Sequence, residues 1–215
     1  MREHNEMGVI FDCDGVIFDS NRMKNDIFSQ TLSDYSSDQV ERFLEYHKSN
    51  GGISRYVKFR YFFSDIIGSP IDDDLVNQLI GDYSELCYKA YQAAPFTKGA
   101  LETIEKLSAK HDLFVASGSD EQELNRVFKD RGIATAFKKI LGSPRPKAEC
   151  LKLIVGDRPQ NFVFVGDSTK DFEAAAEVGV RCVLMPTYSD QPESVEKLGG
   201  SCEIIRSIEE LLDRY

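Results

Sequence analysis

Six short apolar runs constrain this chain most, because each is apolar at consecutive positions and so on both faces of any strand it forms. They are Gly8-Val9-Ile10-Phe11, Asp112-Leu113-Phe114-Val115-Ala116, Lys139-Ile140-Leu141, Phe162-Val163-Phe164-Val165, Arg181-Cys182-Val183-Leu184-Met185 and the weaker Cys202-Glu203-Ile204-Ile205. Runs without in–out alternation suit a parallel sheet covered on both faces. Helix-like stretches near 98–110, 119–131, 147–156 and 168–178 separate them. Two open like capping boxes, Ser119 to Gln122 and Ser168 to Asp171. Alternating strands and helices predict an α/β fold with a doubly wound parallel sheet, whose ligands sit beyond the carboxyl ends of the strands.

One region breaks the alternation. From Asn21 to Ala94 only helical periodicity is visible: Phe28 and Leu32, Phe43 and Leu44, then Tyr56, Phe59, Phe63 and Ile67. Ser36 to Gln39 reads as a helix start, Gly51-Gly52 and Ser69-Pro70 punctuate the stretch, and Pro95 closes it. The expectation is a small α-helical domain over 19–95, inserted into an α/β core domain formed by 1–18 and 96–215. The run Tyr61-Phe62-Phe63 belongs to the core of that insert rather than to a stacking platform.

A net charge of -10 argues against a nucleic-acid partner, but not against an anionic small molecule, because a local site can reverse the global field. No apolar run approaches the roughly 18 residues of a membrane-spanning helix. Residues 1–7 lack the apolar stretch of a secretory signal, so a cytoplasmic protein is expected. Cys13, Cys87, Cys150, Cys182 and Cys202 are scattered without C-x-x-C spacing, which fits reduced thiols rather than disulfides or zinc. His4, His47 and His111 are scattered too and carry no assigned role.

The polar residues that matter stand at the ends of the apolar runs. Asp12 and Asp14 follow the first, Ser117 and Gly118 the second, and Asp167 and Asp171 follow Phe162–Val165. Lys147 comes shortly after Lys139–Leu141. In parallel strands these groups converge on one edge of the sheet. Convergent carboxylates repel, and oxygen donors without His or Cys suit Mg²⁺, which takes one or two carboxylates plus substrate phosphate. A lysine and a hydroxyl beside such a metal donate to phosphate oxygens. Each residue also has a plainer reading: Asp12 and Asp14 as turn residues, Ser117 as a strand end, Lys147 as a solvated helix residue, and Asp171 as half of a capping box. Cys13 is a filler residue, aimed away from the flanking aspartates by side-chain alternation.

Asp-Cys-Asp-Gly-Val at 12–16, the strand ending in Ser117, then Lys147, then Gly-Asp-Ser-x-x-Asp at 166–171 together resemble the four motifs of the haloacid dehalogenase superfamily, in order and over nearly the whole chain. The helical insert is similar to that family's α-helical cap, in its phosphoglycolate-phosphatase-like form. The resemblance implies a Rossmann-like core and a magnesium-dependent phosphatase acting on a small phosphorylated metabolite: phosphoglycolate, a sugar phosphate or a sugar-acid phosphate. It implies Asp12 as nucleophile, Asp14 as acid and base, Ser117 and Gly118 as phosphate donors, and Lys147 offsetting charge. Mg²⁺ would be held by Asp12, the Asp14 backbone carbonyl and Asp167, with Asp171 behind them. An acid at position 14 favours phosphate chemistry over dehalogenation. Many relatives place the lysine before the prolines of Pro144-Arg145-Pro146, so Arg145 rivals Lys147. A mutase of the β-phosphoglucomutase type would use the same residues, and a receiver-like phosphoacceptor module is the non-enzyme alternative.

Leaving-group selection is expected of the insert. In Gly51-Gly52-Ile53-Ser54-Arg55, a flexible pair precedes a helix start, and Lys58 lies one turn beyond Arg55. Arg55, with Lys58, is expected to contact an anionic or polyhydroxylated leaving group. The competing expectation for Arg55 is an exposed, salt-bridged side chain.

Overall fold

Strand β1 (Gly8–Phe11) lies inside a six-stranded parallel sheet in a computed structural model that describes residues 7–215. Its companions are β2 (Leu113–Asp120), β3 (Phe137–Ser143), β4 (Phe162–Gly166), β5 (Arg181–Leu184) and β6 (Glu203–Ile204). The strand order is β3-β2-β1-β4-β5-β6 and every pairing is parallel. His4 lies outside the described residues.

The double-sided apolarity of the runs has a direct counterpart in the packing. Val9, Phe11, Val115, Val163 and Val183 face one apolar cluster, while Ile10, Phe114, Ala116, Phe164 and Leu184 face another. Helices α5 (Ala100–Ser108) and α6 (Glu121–Asp130) cover the first face through Ile104, Leu107, Leu124, Val127 and Phe128. Helices α7 (Lys147–Val155) and α8 (Thr169–Val178) cover the second through Leu151, Ile154, Ala174 and Ala175. The short α9 (Pro192–Glu196) adds Val195. Each fully buried Val, Leu, Ile or Phe among them contributes about 1.5–3 kcal/mol relative to exposure.

The capping box at Ser168 forms as expected, with Asp171 returning the bond. The one expected at Ser119 does not. Strand β2 stays paired with β3 as far as Asp120, so Ser119 remains extended and Asp120 caps α6 by accepting from Glu123 N at 3.0 Å.

Between β1 and α5 the chain forms α1 (Asn21–Thr31), α2 (Ser37–Ser49), α3 (Arg55–Tyr61, continuing as a π-helical turn over Phe62–Ile67) and α4 (Asp73–Ala93). Ser36 and Gln39 cap α2 reciprocally. An aromatic cluster joins these helices: Phe28 lies 5.1 Å from Phe43 and 4.0 Å from Tyr83 between ring centroids, with Phe59 against both Phe28 and Tyr83. Phe62 and Phe63 are buried in the same cluster, and Tyr61 stacks on Tyr46. The two connections to the sheet run side by side. Asp19 N donates to Pro95 O and Thr97 N to Ile17 O, both at 2.9 Å, and the Phe18 and Phe96 rings stack. Among the described residues, no helix is long and apolar enough to cross a membrane.

Because Phe28 joins α1 to three other aromatic residues and is 2% exposed, Phe28→Ala should cost about 3–5 kcal/mol, read as a drop in the urea midpoint at unchanged slope.

Candidate active site

In this strand order the succession of strands changes direction between β1 and β4, although both strands run parallel, and the crevice at that switch is where doubly wound sheets hold ligands. Asp12 and Asp167 follow these two adjacent strands, and Asp12 N donates to Val165 O at 2.8 Å. Asp171, on the first turn of α8, reaches back to the same place. Carboxylate oxygens of Asp12, Asp167 and Asp171 lie within 4.8 Å of one another, all buried. Lys147, first residue of α7, enters this group: its Nζ donates to Asp12 Oδ2 at 2.9 Å and to Asp171 Oδ1. Asp171 Oδ2 meanwhile accepts from the backbone N–H groups of Asp167 and Ser168, both at 3.0 Å. Its capping role and its place in the carboxylate group therefore coexist. Arg145 is turned elsewhere, donating to Glu121 Oε2 at 2.8 Å.

Ser117 is buried at the strand edge, where its Oγ accepts from Ser119 N at 3.2 Å. Ser117, Gly118, Asp12, Asp14 and Asp167 line one small cavity. Two glycines allow close approach there. Gly15 has φ +73°, and a Cβ on it would stand 2.2 Å from Asp167 Oδ2. A Cβ on Gly118 would stand 2.2 Å from the carbonyl oxygen of Gly52, so the loop before α3 rests against the end of β2.

Asp12 and Asp14, two residues apart, have opposite electrostatics. Burial, with Asp171 and Asp14 nearby, pushes Asp12 above the usual carboxylate range against the opposing charge of Lys147. Asp167 is pushed well up by burial and by Asp171 and Asp12. Asp14 is buried too, but Lys24 Nζ at 2.5 Å from Oδ2 outweighs that, helped by Ser20 Oγ (2.6 Å) and Tyr91 OH (2.5 Å) on Oδ1. Asp14 is therefore held well below the usual range. Three clustered carboxylates with one lysine form a site short of positive charge, built from hard oxygen donors. Cys13 lies in the apolar cluster, its thiol pushed well up by burial.

The haloacid dehalogenase-like hydrolase profile matches residues 9–185, most of the described chain. The chain belongs to the haloacid dehalogenase-like hydrolases. It is 23% identical over 193 residues to a phosphoglycolate phosphatase of Aquifex aeolicus (strain VF5), covering 82% of this chain and 83% of that one. Among solved structures it resembles a predicted phosphatase from Clostridium acetobutylicum, with a TM-score of 0.75 at 17% identity over 97% of both chains. It also resembles the HAD-hydrolase YfnB of Bacillus subtilis bound to magnesium, with a TM-score of 0.64 at 20% identity over 96% of both chains.

In this haloacid dehalogenase-like hydrolase the inserted helices supply the rest of the cavity wall. Arg55 lines it but is not the exposed arginine of the competing expectation. It is 3% exposed and forks onto Glu123 of α6, with Nη1 at 2.8 Å and Nη2 at 2.7 Å, while Nη1 also reaches Ser84. Lys58 is buried beside His47, its Nζ 2.6 Å from Nδ1. Lys24, His47, Tyr91 and Asn21, whose Nδ2 donates to Asp167 Oδ2 at 2.7 Å, lie outside the motifs. Lys24 and His47 left a readable trace: each occupies an apolar position of its helix, Lys24 with Ile27 and Phe28, His47 with Val40 and Phe43.

Lys147 is the cation on which the carboxylate group depends, so Lys147→Met should cost about 3–5 kcal/mol in metal-free buffer near neutral pH. Without it, Asp12 and Asp167 rise further, and the folded chain then binds more protons than the unfolded one below those raised values. Stability must rise as pH falls through that window, so the defect should shrink between about pH 7.5 and about pH 5 in urea titrations.

Proposed function

We propose that the protein is a Mg²⁺-dependent phosphatase that hydrolyses a small organic phosphate monoester through an aspartyl phosphate on Asp12. The observation carrying this reading is the electrostatic split between two acids at one strand end. Asp12 sits in a carboxylate group beside Lys147, and Asp14 sits outside it with its own cation.

An Asp12 oxygen attacks phosphorus as the bond to the ester oxygen breaks. Asp14, which Lys24 keeps ionised in the free protein, must therefore take up a proton as substrate binds, and it delivers that proton to the ester oxygen. In the second half, Asp14 takes a proton from the water that attacks the aspartyl phosphate, which releases phosphate and restores Asp12. Ser117 Oγ and the Gly118 backbone N–H donate to phosphoryl oxygens, and Lys147 offsets charge on both Asp12 and the phosphoryl group. Asp12, Asp167 and the backbone carbonyl of Asp14 would hold Mg²⁺, and Asp171 would anchor Lys147 and the start of α8 behind them. Bound Mg²⁺ supplies the positive charge that the carboxylates and a phosphoryl group both require. All five cysteines are free, which fits work in a reducing compartment such as the cytoplasm.

Phosphate release from an aryl phosphate should need Mg²⁺ and vanish with EDTA or with Asp12→Asn. Activity surviving both treatments would sink the mechanism. Asp14→Asn should lower turnover by on the order of 10²–10⁴. In rapid-quench experiments with a good leaving group, dephosphorylation should suffer more than phosphorylation, because only the water step still needs the base.

A further inference from the structure

The cavity wall facing Asp12 and Asp14 carries three buried cations from the inserted helices, and two are already matched. Lys24 is paired with Asp14, and Arg55 with Glu123. Lys58 is different. It is 2% exposed, its hydrogen-bond partner is the imidazole of His47, and among the described residues no carboxylate pairs with it. His47 is buried as well, and among the described residues its Nε2 has no hydrogen-bond partner.

These two side chains share one apolar platform: the Phe28 ring lies 4.5 Å from the His47 ring centroid and 6.0 Å from Lys58 Nζ. Burial and Lys58 hold the His47 pKa well below its ordinary value, so the ring is neutral. If Nδ1 accepts from Lys58, Nε2 carries the proton and is a donor without an acceptor. Burial and Lys24 bring Lys58 down to about 7, against the weaker opposing pull of Asp190 and Asp14 and with Lys147 adding to the repulsion. A buried cation without a counter-charge and a buried N–H without an acceptor are costly in the free protein, and an anion would supply both. Both residues line the cavity that also holds Asp12, Asp14 and Ser117.

We propose that Lys58 and His47 form a receptor for a second anionic group, a carboxylate or a further phosphate, at the far end of the leaving group. This rests on the phosphatase reading and narrows its substrate to short, doubly anionic esters. The cavity measures about 50 Å³. A cavity this small favours a short leaving group over a long chain. Arg55 lines the same cavity with its guanidinium already bonded to Glu123 and Ser84.

The test is calorimetric binding to the Asp12→Asn protein with Mg²⁺, using phosphoglycolate, ethane-1,2-diyl bisphosphate and 2-hydroxyethyl phosphate as carboxylate-ended, phosphate-ended and neutral-ended probes. At least one anionic-ended ester should bind on the order of 10- to 100-fold more tightly than the neutral one, as charge-assisted hydrogen bonds predict. Which of the two it is identifies the anion. Lys58→Met in the same background should erase the preference, and Lys58→Gln provides a second variant should methionine disturb packing. Removing an unmatched buried charge should also leave the melting temperature level or raised. Equal binding of all three probes, or a preference that survives both Lys58 variants, overturns the proposal. Failure of the phosphatase reading is separate: it shows as wild-type protein that releases no phosphate from an aryl phosphate with Mg²⁺, whatever the binding data give.

Discussion

Three carboxylates buried within 4.8 Å of one another are a standing electrostatic strain, and much of the architecture serves to hold them there. In a low-dielectric interior such a group survives only with cations and hydrogen-bond donors in place. Lys147 is the cation, and its position at the start of α7 is fixed by the strand–turn–helix path from β3. The donors on Asp171 are backbone N–H groups at the start of α8, which favour negative charge as helix N-termini do. The parallel sheet is what allows all of this, because it brings the carboxyl ends of β1 and β4 side by side. A chain of the same composition in an antiparallel order would scatter these acids to opposite edges.

The inserted helices follow a second rule: their site residues occupy positions that periodicity assigns to the apolar core. Lys24 shares a buried stripe with Ile27 and Phe28, His47 with Val40 and Phe43, and Arg55 and Lys58 with Phe59. The aromatic cluster is therefore both a core and a support, locking the rotamers of the charged groups that overlie it. The Arg55–Glu123 fork crosses from α3 to α6 and fixes the insert against the core. A buried fork of this kind adds little net stability but is costly to break by removing one partner.

How much of this was legible follows from those same residues. The sheet and the convergence of Asp12, Asp14, Ser117, Lys147, Asp167 and Asp171 could be read because each stands next to an apolar run, and a parallel topology leaves strand ends nowhere else to go. The helical insert was legible from period alone. The partners of Asp14 were not, since Lys24 and Tyr91 reach it from helices whose placement no local pattern encodes. The Ser119 capping box failed because a tertiary pairing, Asp120 opposite Ser143, outcompeted a local signal. The burial of Arg55 was missed for a related reason: its partner Glu123 lies 68 residues away in the sequence, on a helix of the core. Lys24 and His47 did leave a cue, a polar residue on an apolar stripe.

The origin of Asp14's four side-chain partners bears on how the insert contributes to chemistry. Ser119 belongs to the sheet, but Ser20, Lys24 and Tyr91 come from the inserted helices and the segment leading into them. Asp12, by contrast, takes its charged partner, Lys147, from the core. The environment of Asp12 is thus set by the sheet, while the ionisation of Asp14 is set largely by the insert. If Lys24 were withdrawn, the burial of Asp14 would stand without its largest counter-charge, and the carboxyl would take up a proton more readily. Proton delivery and proton removal by one carboxyl need opposite starting states. Lys24, the largest counter-charge on Asp14, is therefore the group through which the inserted helices set the state of that carboxyl.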